Sequence, residues 1–550
     1  MGDQELFELL LSKRGLTDAQ DRSNYFHPNY IDSQHDPFLL PDMQAAVERI
    51  VLATNESQKV VVYGDYDIDG ITASTILSNA FDAFGIEHEI YIPDRFSEGY
   101  GLHVQSLLHT KDVLKADLVV TVDCGSVSFE PLKWAAQNNL DVIVTDHHSV
   151  SDTMPPAIAV INPKRKDCKY PFIEFAGVGV AFKLIQALQT RLSGLSPGAE
   201  KWFLDLVAFG SVCDIVELVD ENRTLTYWGT EVLKKSKRPG IKALCEVTGI
   251  NQADISAQTL GYVFGPRLNA AGRMVHATSA LQLLLSTSLS EAREIALKLE
   301  KLNQSRRHDQ KVIYEQASKV ATQTDDPVLV LSHPDWSHGI NGIVASKLVE
   351  HYKKPTIVMQ ELASTVKGSM RSFGEFSAVD AIRSQQEFLV SGGGHAAAGG
   401  CTVKKDDLAQ FREGINAYYR SLKLVSQEAY LLPEHDVAID SFKAITVRLC
   451  ELVETMQPFG RGNPYPLLLA KDCSITVVKR VGSDKAHVQL EASDADGESR
   501  RGIAFSLAEE FTPKVGDRVD LWFEPQINEY AGRKTPQLMI KRVAPSGHLG

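Results

Sequence analysis

From about residue 46 to 225 the chain alternates between short, almost wholly apolar runs and longer stretches of helix-forming residues. KVVVYGD (59–65), HEIYIPD (88–94), DLVVTVDCG (117–125), DVIVTDHH (141–148) and AIAVINP (157–163) are rich in β-branched residues. They lack the every-second-residue polarity of a half-exposed strand, so they predict strands buried on both faces, as in a parallel sheet. ITASTILSNAFDAFG (71–85) and EPLKWAAQNNL (130–140) lie between them and predict covering helices. Strand and helix in alternation make βαβ units.

The pattern changes elsewhere. Residues 1–45 read as a helical lead-in with a proline-rich exit, 200–320 are mostly helical by period, and 226–325 form a helical region with a connecting helix. Residues 288–321 contain neither Gly nor Pro and many good helix formers, which predicts one long connecting helix. A second α/β pattern, DPVLVLS, NGIVASKLVEHY and KPTIVMQ, occupies 326–428. From 429 to 550, CSITVVKRV, AHVQLEA, RGIAFSL, RVDLWFEP and PQLMIKRV are short alternating runs between Gly and Asp turns. They predict a small antiparallel barrel or sandwich. No internal repeat is evident. The expected fold class is therefore α/β: a parallel-sheet domain, a connecting helix, a second α/β domain and a C-terminal antiparallel β domain.

Composition changes this picture little. A length of 550 residues fits three or four domains. Seven scattered cysteines without a CxxC pair argue against a disulfide framework and a zinc knuckle, and favour a reducing cytosol. MGDQELFELL has no basic-then-apolar leader, and no apolar run approaches the roughly 20 residues of a membrane span. The net charge of −13, from 57 basic and 70 acidic residues, argues at first against a nucleic-acid partner. Clustered metal-binding carboxylates and a separate basic surface would reconcile the two.

The acid is clustered. Asp65, Asp67 and Asp69 follow the first run, Asp123 ends DLVVTVDCG, and Asp146, His147 and His148 end DVIVTDHH. Asp214 follows the apolar stretch LVAFGSVCDIV (206–216). Ligands of parallel α/β sheets gather beyond the carboxyl ends of strands, so these tips are expected at one rim. A single such aspartate is usually a turn or helix N-cap residue. This many acids beside a histidine pair repel one another unless cations sit among them. Carboxylates with imidazole suit Mn²⁺ or Mg²⁺, and histidine tilts the choice toward Mn²⁺. Two ions about 3.5–4 Å apart, bridged by one carboxylate, would acidify a shared water and stabilise the attacking and leaving oxygens of a phosphoryl displacement.

DYDIDG (65–70), VDCG (122–125), TDHH (145–148) and SVCDIV (211–216) resemble the four motifs of the DHH phosphoesterase superfamily. PDRFSEGYGL, GPRLNAAGRM, KGSMRS, SGGGHAAAGG and PFGRGNPYP resemble, in order, the RecJ family of bacterial single-strand-specific 5′→3′ exonucleases. The resemblance runs from about residue 45 to the C-terminus. It implies a DHH catalytic domain over 46–225, a DHHA1 substrate-binding domain over 326–428 and an OB-like domain over 429–550. It also implies two ions, with Asp123 bridging them. Asp67 would bind one, with Asp65 where smaller superfamily members carry a histidine. Asp69, His147 and Asp214 would bind the other. His148 would contact the scissile phosphate or orient the ligands, so Asp123, His147 and His148 form the catalytic set, with Asp146 bracing the histidines.

Phosphate handling is expected elsewhere. Gly393, Gly394 and His395 of SGGGHAAAGG suit close backbone approach to an anion. Ser369, Arg371, Arg267, Arg273 and Arg95 are further candidates, since guanidinium forks match phosphate oxygens, although each arginine is as readily a surface ion-pair partner. Tyr100, Trp336 and His338 would supply stacking or packing at the cleft. Lys479, Arg480, Lys485, Arg500, Arg501, Arg533 and Lys534 give the C-terminal region a local basic character. The leading expectation is a metal-dependent exonuclease that degrades single-stranded DNA from the 5′ end to 5′-mononucleotides in recombination and repair. The alternatives are a nano-RNase or cyclic-dinucleotide phosphodiesterase, a replication scaffold that has lost its metals, and a manganese pyrophosphatase. The β-rich C-terminal region and PFGRGNPYP argue against the first, the full set of motif acids and both histidines against the second, and a long strand channel against the third. The resemblance further implies a RecQ-type helicase and a single-strand-binding protein as partners.

Overall fold

A computed structural model describes residues 2–424, 432–482, 485–505 and 513–547. The expected domain boundary at 428/429 and the Ser506–Leu507 end of RGIAFSL lie outside the described residues. The chain divides into two units. One comprises 24–306 with 457–464, and the other comprises 1–23, 307–456 and 465–550.

The first unit is built on a five-stranded parallel sheet in the order β2-β1-β3-β4-β5. The strands are β1 (Val60–Gly64), β2 (His88–Tyr91), β3 (Leu118–Val122), β4 (Asp141–Thr145) and β5 (Ala159–Ile161). Their unbroken apolar character follows from burial on two sides. Val60, Val62, Val120 and Ile143 join a core with helices Ile68–Phe84 and Gly177–Gln189. Val61, Tyr63, Val119 and Val142 face Leu107 and Leu132, from helices Val104–Asp112 and Phe129–Gln137.

Asp214, grouped with the strand ends, follows a helix, as the helical period over 200–320 predicts. LVAFGSVCDIV forms helix Leu204–Cys213, fully buried from Leu204 to Ser211. A helix without a polar face cannot be told from a buried strand by its pattern. Its small residues permit close approach: a Cβ on Gly210 would stand 2.4 Å from Thr72 Oγ1. Residues 457–464 return to this unit as a strap. The Leu218 N–H donates to the Arg461 carbonyl at 2.7 Å, and the Tyr25 hydroxyl donates to Asn463 Oδ1 at 2.8 Å. Most of PFGRGNPYP is thus a structural clasp.

In the second unit β6 (Leu329–His333), β7 (Thr356–Glu361), β8 (Thr365–Arg371), β9 (Leu389–Gly394) and β10 (Ala398–Lys404) form a mixed sheet in the order β6-β7-β8-β10-β9. The last sheet contains β11 (Val437–Ile439), β12 (Leu468–Val481), β13 (His487–Ser493), β14 (Ser499–Ala504), β15 (Arg518–Tyr530) and β16 (Arg533–Pro545). Pairing of β12 with both β13 and β15 closes a five-stranded barrel, to which β11 adds in parallel. Within the ring only the β14–β16 pairing is parallel. The long helix is present as Leu289–Ala321, 33 residues. No helix among the described residues is long and apolar enough to cross a membrane.

Candidate metal centre

Strand β1 ends at Gly64, and Asp65 follows it into the turn before helix Ile68–Phe84. Asp67 is the helix N-cap: the N–H groups of Asp69 and Gly70 donate to its Oδ1 at 2.9 and 3.2 Å. Gly70 must lack a side chain, because a Cβ there would stand 2.6 Å from the Asp65 backbone. Asp69, in the first turn, reaches across the sequence. It accepts the N–H groups of Gly177 and Val178 at 2.6 and 2.9 Å and so caps helix Gly177–Gln189. Asp123 leaves β3 in the left-handed region, φ 63°, with its N–H donated to Thr145 at the end of β4. A non-glycine residue there is strained, and such strain gathers at functional sites.

His147 lies among these acids. Its Nε2 is 3.1 Å from Asp123 Oδ1, 3.6 Å from Asp214 Oδ2 and 3.7 Å from Asp69 Oδ2. Asp214 caps the C-terminus of helix Leu204–Cys213. Three sets of donor atoms each converge within 4.8 Å: Asp65, Asp67 and Asp123; Asp69, His147 and Asp214; and Asp123, His147 and His148. Asp123 belongs to two of these sets, as does His147. Asp146 lies behind. It accepts the N–H groups of Ser126, His147 and His148 and the His148 ring Nδ1 at 2.7–3.0 Å. It therefore fixes the β4 tip.

The electrostatics call for cations. Burial, with the charge of neighbouring aspartates, pushes Asp65, Asp123 and Asp214 well above the carboxylate range and Asp69 to about 7. Burial, helped by the charge of His148, holds His147 neutral down to about 3, the form that ligates metals. For His148, burial is outweighed by its bond to Asp146 and by the surrounding acids, which lift it to about 9. Oδ1 of Asp65, Oδ1 of Asp123 and both ring nitrogens of His147 are buried without a hydrogen-bond partner. Buried polar atoms are nearly always satisfied. Orphaned carboxylate and imidazole donors at these separations fit divalent cations such as Mn²⁺ or Mg²⁺.

A stability signature follows. With Asp69 at about 7 against an ordinary 3.8, the folded chain keeps a proton that the unfolded chain loses across that window, so stability falls as pH rises through it. Asp65, Asp123 and Asp214 act in the same sense, while His147 and, at lower pH, Asp146, both held below their ordinary values, act in the opposite one. In EDTA the melting temperature is expected to fall from about pH 4 to about pH 7. At neutral pH saturating Mn²⁺ is expected to raise it by on the order of 5–10 °C. Thermal unfolding with and without the ion checks both, and a chain indifferent to Mn²⁺ would count against a metal site.

The remaining predicted residues are placed as follows. Arg95 lies over the Tyr66 ring, 5.0 Å from its centroid. Arg95 and Arg273 both bring positive charge to the Tyr66 phenol, whose pKa burial and Asp65 push upward. Arg267 is engaged by Glu300 and by the Val263 carbonyl, each at 2.6 Å. In the other unit Ser369 and Arg371 sit on the same face of β8, opposite Gly400 and Ala398 of β10. SGGGHAAAGG is largely a β9–β10 hairpin rather than an open loop, with Gly393 paired to Gly400, Gly394 to Gly399 and exposed His395 at the turn. β9 is an edge strand of this sheet.

Sequence reasoning passed over three residues. Asn162 Nδ2 donates to Ser126 Oγ at 2.8 Å and to the His148 carbonyl at 2.9 Å, fixing the β4 tip from β5. Lys164 brings positive charge to His147 and Asp214. Gly177 presses on Asp123, where a Cβ would stand 2.6 Å from the aspartate's own. Only the position of Asn162, at the end of the strand-like run AIAVINP, offered a signal.

Family models agree with this architecture. DHH family, N-terminal domain matches residues 59–211, the DHHA1 domain 325–421 and the RecJ OB domain 436–542. The single-stranded-DNA-specific exonuclease RecJ of Escherichia coli (strain K12) is 34% identical, across 92% of this chain and 91% of its own length. The chain belongs to the RecJ family. RecJ of Bacillus subtilis (strain 168) is likewise 34% identical, across 98% of this chain and 67% of that protein. The crystal structure of RecJ in complex with Mn²⁺ from Thermus thermophilus superposes with a TM-score of 0.82 at 27% identity, covering 98% of this chain and 76% of that one.

Proposed function

We infer that this RecJ-family chain is a metal-dependent exonuclease that hydrolyses single-stranded DNA from the 5′ end to 5′-mononucleotides. The observation that carries this reading is the convergence of Asp65, Asp67 and Asp123 in one donor set and of Asp69, His147 and Asp214 in another, with Asp123 Oδ1 3.1 Å from the His147 Nε2 of the second. Asp65, Asp67 and Asp123 would hold one divalent ion, and Asp69, His147, Asp214 and the shared Asp123 the other. Such ions supply Lewis acidity to the phosphoryl oxygens and to the attacking water. The protein's own part is positioning. Asp146 and Asn162 lock the histidine pair, and the backbone of Gly177 and Val178 fixes the Asp69 carboxylate. His148, carrying a proton at neutral pH and hydrogen-bonded to Asp146, would donate to a non-bridging phosphate oxygen. Tyr100, whose hydroxyl lies 3.1 Å from the His148 ring, steadies it on the open side.

Ser369, Arg371, Gly393, Gly394 and His395 would grip the strand's phosphates, with Arg95 and Arg273 doing so in the catalytic unit. Arg371→Ala is expected to weaken strand binding and to reduce the salt slope by about 0.7, the value of one lost phosphate contact on a single strand. Binding isotherms over a salt series check this, and an unchanged slope would remove Arg371 from the phosphate path. A cytoplasmic location, supported by seven free cysteines, belongs to the same reading. So do a role in recombination and repair and collaboration with a RecQ-type helicase and a single-strand-binding protein.

The direct test is a time course on long single strands labelled at either end, in Mn²⁺, Mg²⁺ or EDTA, beside duplex and RNA controls. Immediate release of mononucleotide from the 5′ label, gradual shortening of 3′-labelled strands, and inert EDTA and blunt-duplex lanes are expected. Survival of the long strand while very short RNAs are consumed would replace this reading with an oligoribonuclease.

A further inference from the structure

Residues 457–464 belong to the unit of the acid cluster, while the chain on either side of them, 307–456 and 465–550, belongs to the other unit. The chain thus enters the catalytic unit for one short strap and leaves again. The strap has a fixed shape of its own. Gly460 and Asn463 exchange backbone hydrogen bonds at 3.0 and 3.2 Å, and the buried Asn463 side chain donates to the Pro458 carbonyl at 2.8 Å. It is also tied down at both ends. Arg223, whose guanidinium lies 3.6 Å from the centre of the Tyr25 ring, donates to the Gln457 carbonyl at 2.9 Å, and the Tyr25 hydroxyl donates to Asn463.

What the strap grips is the loop that carries Asp214. From helix Leu204–Cys213 the chain runs through Asp214, Ile215, Val216 and Glu217 to the buried Leu218. Ile215 is left-handed, with φ 59°, where a β-branched residue is strained. Burial does not hold it there, since Ile215 is 65% exposed. Strain of this kind persists only where the surroundings over-determine the backbone. On the helix side, the Asp214 and Val216 N–H groups donate to the Gly210 and Ser211 carbonyls at 2.9 and 3.4 Å. On the far side, the buried Asn222 donates to the Glu217 carbonyl at 3.0 Å, and the strap supplies the rest. The Arg461 carbonyl accepts the Leu218 N–H at 2.7 Å, and the Arg461 guanidinium lies 3.5 Å from the Glu217 carboxylate. Gly462, itself at φ 76°, comes so near that a Cβ would stand 3.0 Å from Val219 Cγ1 and 3.1 Å from Glu217 Cβ. The strain of one left-handed residue is comparable with the net worth of one backbone hydrogen bond, so the strap's hold is large enough to decide the loop's conformation. We propose that the strap is a positioning device for Asp214: by holding Glu217 and Leu218 it keeps Ile215 left-handed and the Asp214 carboxylate beside Asp69 and His147. One ion's affinity is then set in part from residues 457–464. This inference rests on the two-metal reading of the centre.

The test titrates Mn²⁺ into the full chain, followed by electron paramagnetic resonance, and compares wild type with Gly462→Ala, Ile215→Gly and the double variant. Gly462→Ala is expected to weaken one of the two ions about tenfold and leave the other unchanged. The ion weakened should be the one that Asp214→Ala loses. On single strands its kcat should fall at limiting Mn²⁺ and recover at saturating Mn²⁺, with KM little altered. Adding Ile215→Gly makes the left-handed turn free of strain, so the double variant should regain most of the lost affinity. Melting in EDTA reports whether Gly462→Ala folds. If it does not, Arg461→Ala, which keeps the carbonyl and removes the guanidinium, should still weaken the same ion, by about twofold. Unaltered Mn²⁺ binding in a folded strap variant, or an equal loss of both ions that Ile215→Gly does not relieve, would overturn the positioning role and leave the strap a tie alone. A wild-type chain that binds a single ion would remove the two-metal reading and this inference with it.

Discussion

Asp123→Ala is expected to abolish hydrolysis, by at least about 10³-fold, while leaving single-strand binding largely intact. The carboxylate is the one acid common to two donor sets, and its Oδ1 is buried without a hydrogen-bond partner. Removing it would withdraw a ligand from both of the proposed ion positions, a loss of several kcal/mol in charge stabilisation at the phosphoryl group. It also relieves repulsion, since Asp65, Asp67, Asp69 and Asp214 all raise its pKa after burial does. The variant should therefore fold, and in EDTA it should melt no lower than wild type. Its stabilisation by Mn²⁺ should largely disappear. A folded variant that keeps nuclease activity, or that loses strand binding instead, would assign Asp123 a different role.

Gly177→Ala is expected to reduce kcat about 10²-fold, although Gly177 is buried and acts only through Asp123 and Asp69. The added methyl would meet the Asp123 Cβ at 2.6 Å and its Oδ1 at 2.8 Å. Neither side can yield freely. Asp123 is tied by its N–H to Thr145, and Gly177 is tied by its N–H to Asp69. Overpacking a site like this costs about 1–3 kcal/mol, and the displacement falls on the shared carboxylate and on Asp69 together. Kinetics and thermal unfolding, measured in Mn²⁺, should show a large activity loss with a modest loss of stability. Full activity would mean that the approach of helix Gly177–Gln189 does not set the metal geometry.

Much of this centre was legible because parallel strands are buried on both faces. β1, β3 and β4 are unbroken apolar runs, so the acids and histidines that end them stand out. Asp214 was found for the same reason but grouped with the strand ends, since a helix buried all round reads like a strand. The capping of Gly177 and Val178 by Asp69 spans more than a hundred residues and leaves no local trace. The same holds for Glu300 on Arg267, which engages an arginine that the motif alone offers to phosphate. Asn162 and Lys164 act on the cluster only because β5 lies next to β4, a neighbour relation that composition does not encode.

The most direct measurement is an Mn²⁺ titration of the full chain followed by electron paramagnetic resonance. The proposed two-metal centre predicts two ions per chain that are spin-coupled, as in two-metal sites with ions about 3.5–4 Å apart, and Asp123→Ala should leave at most one, uncoupled. A single ion at saturation, or two without coupling, would contradict a shared two-metal centre.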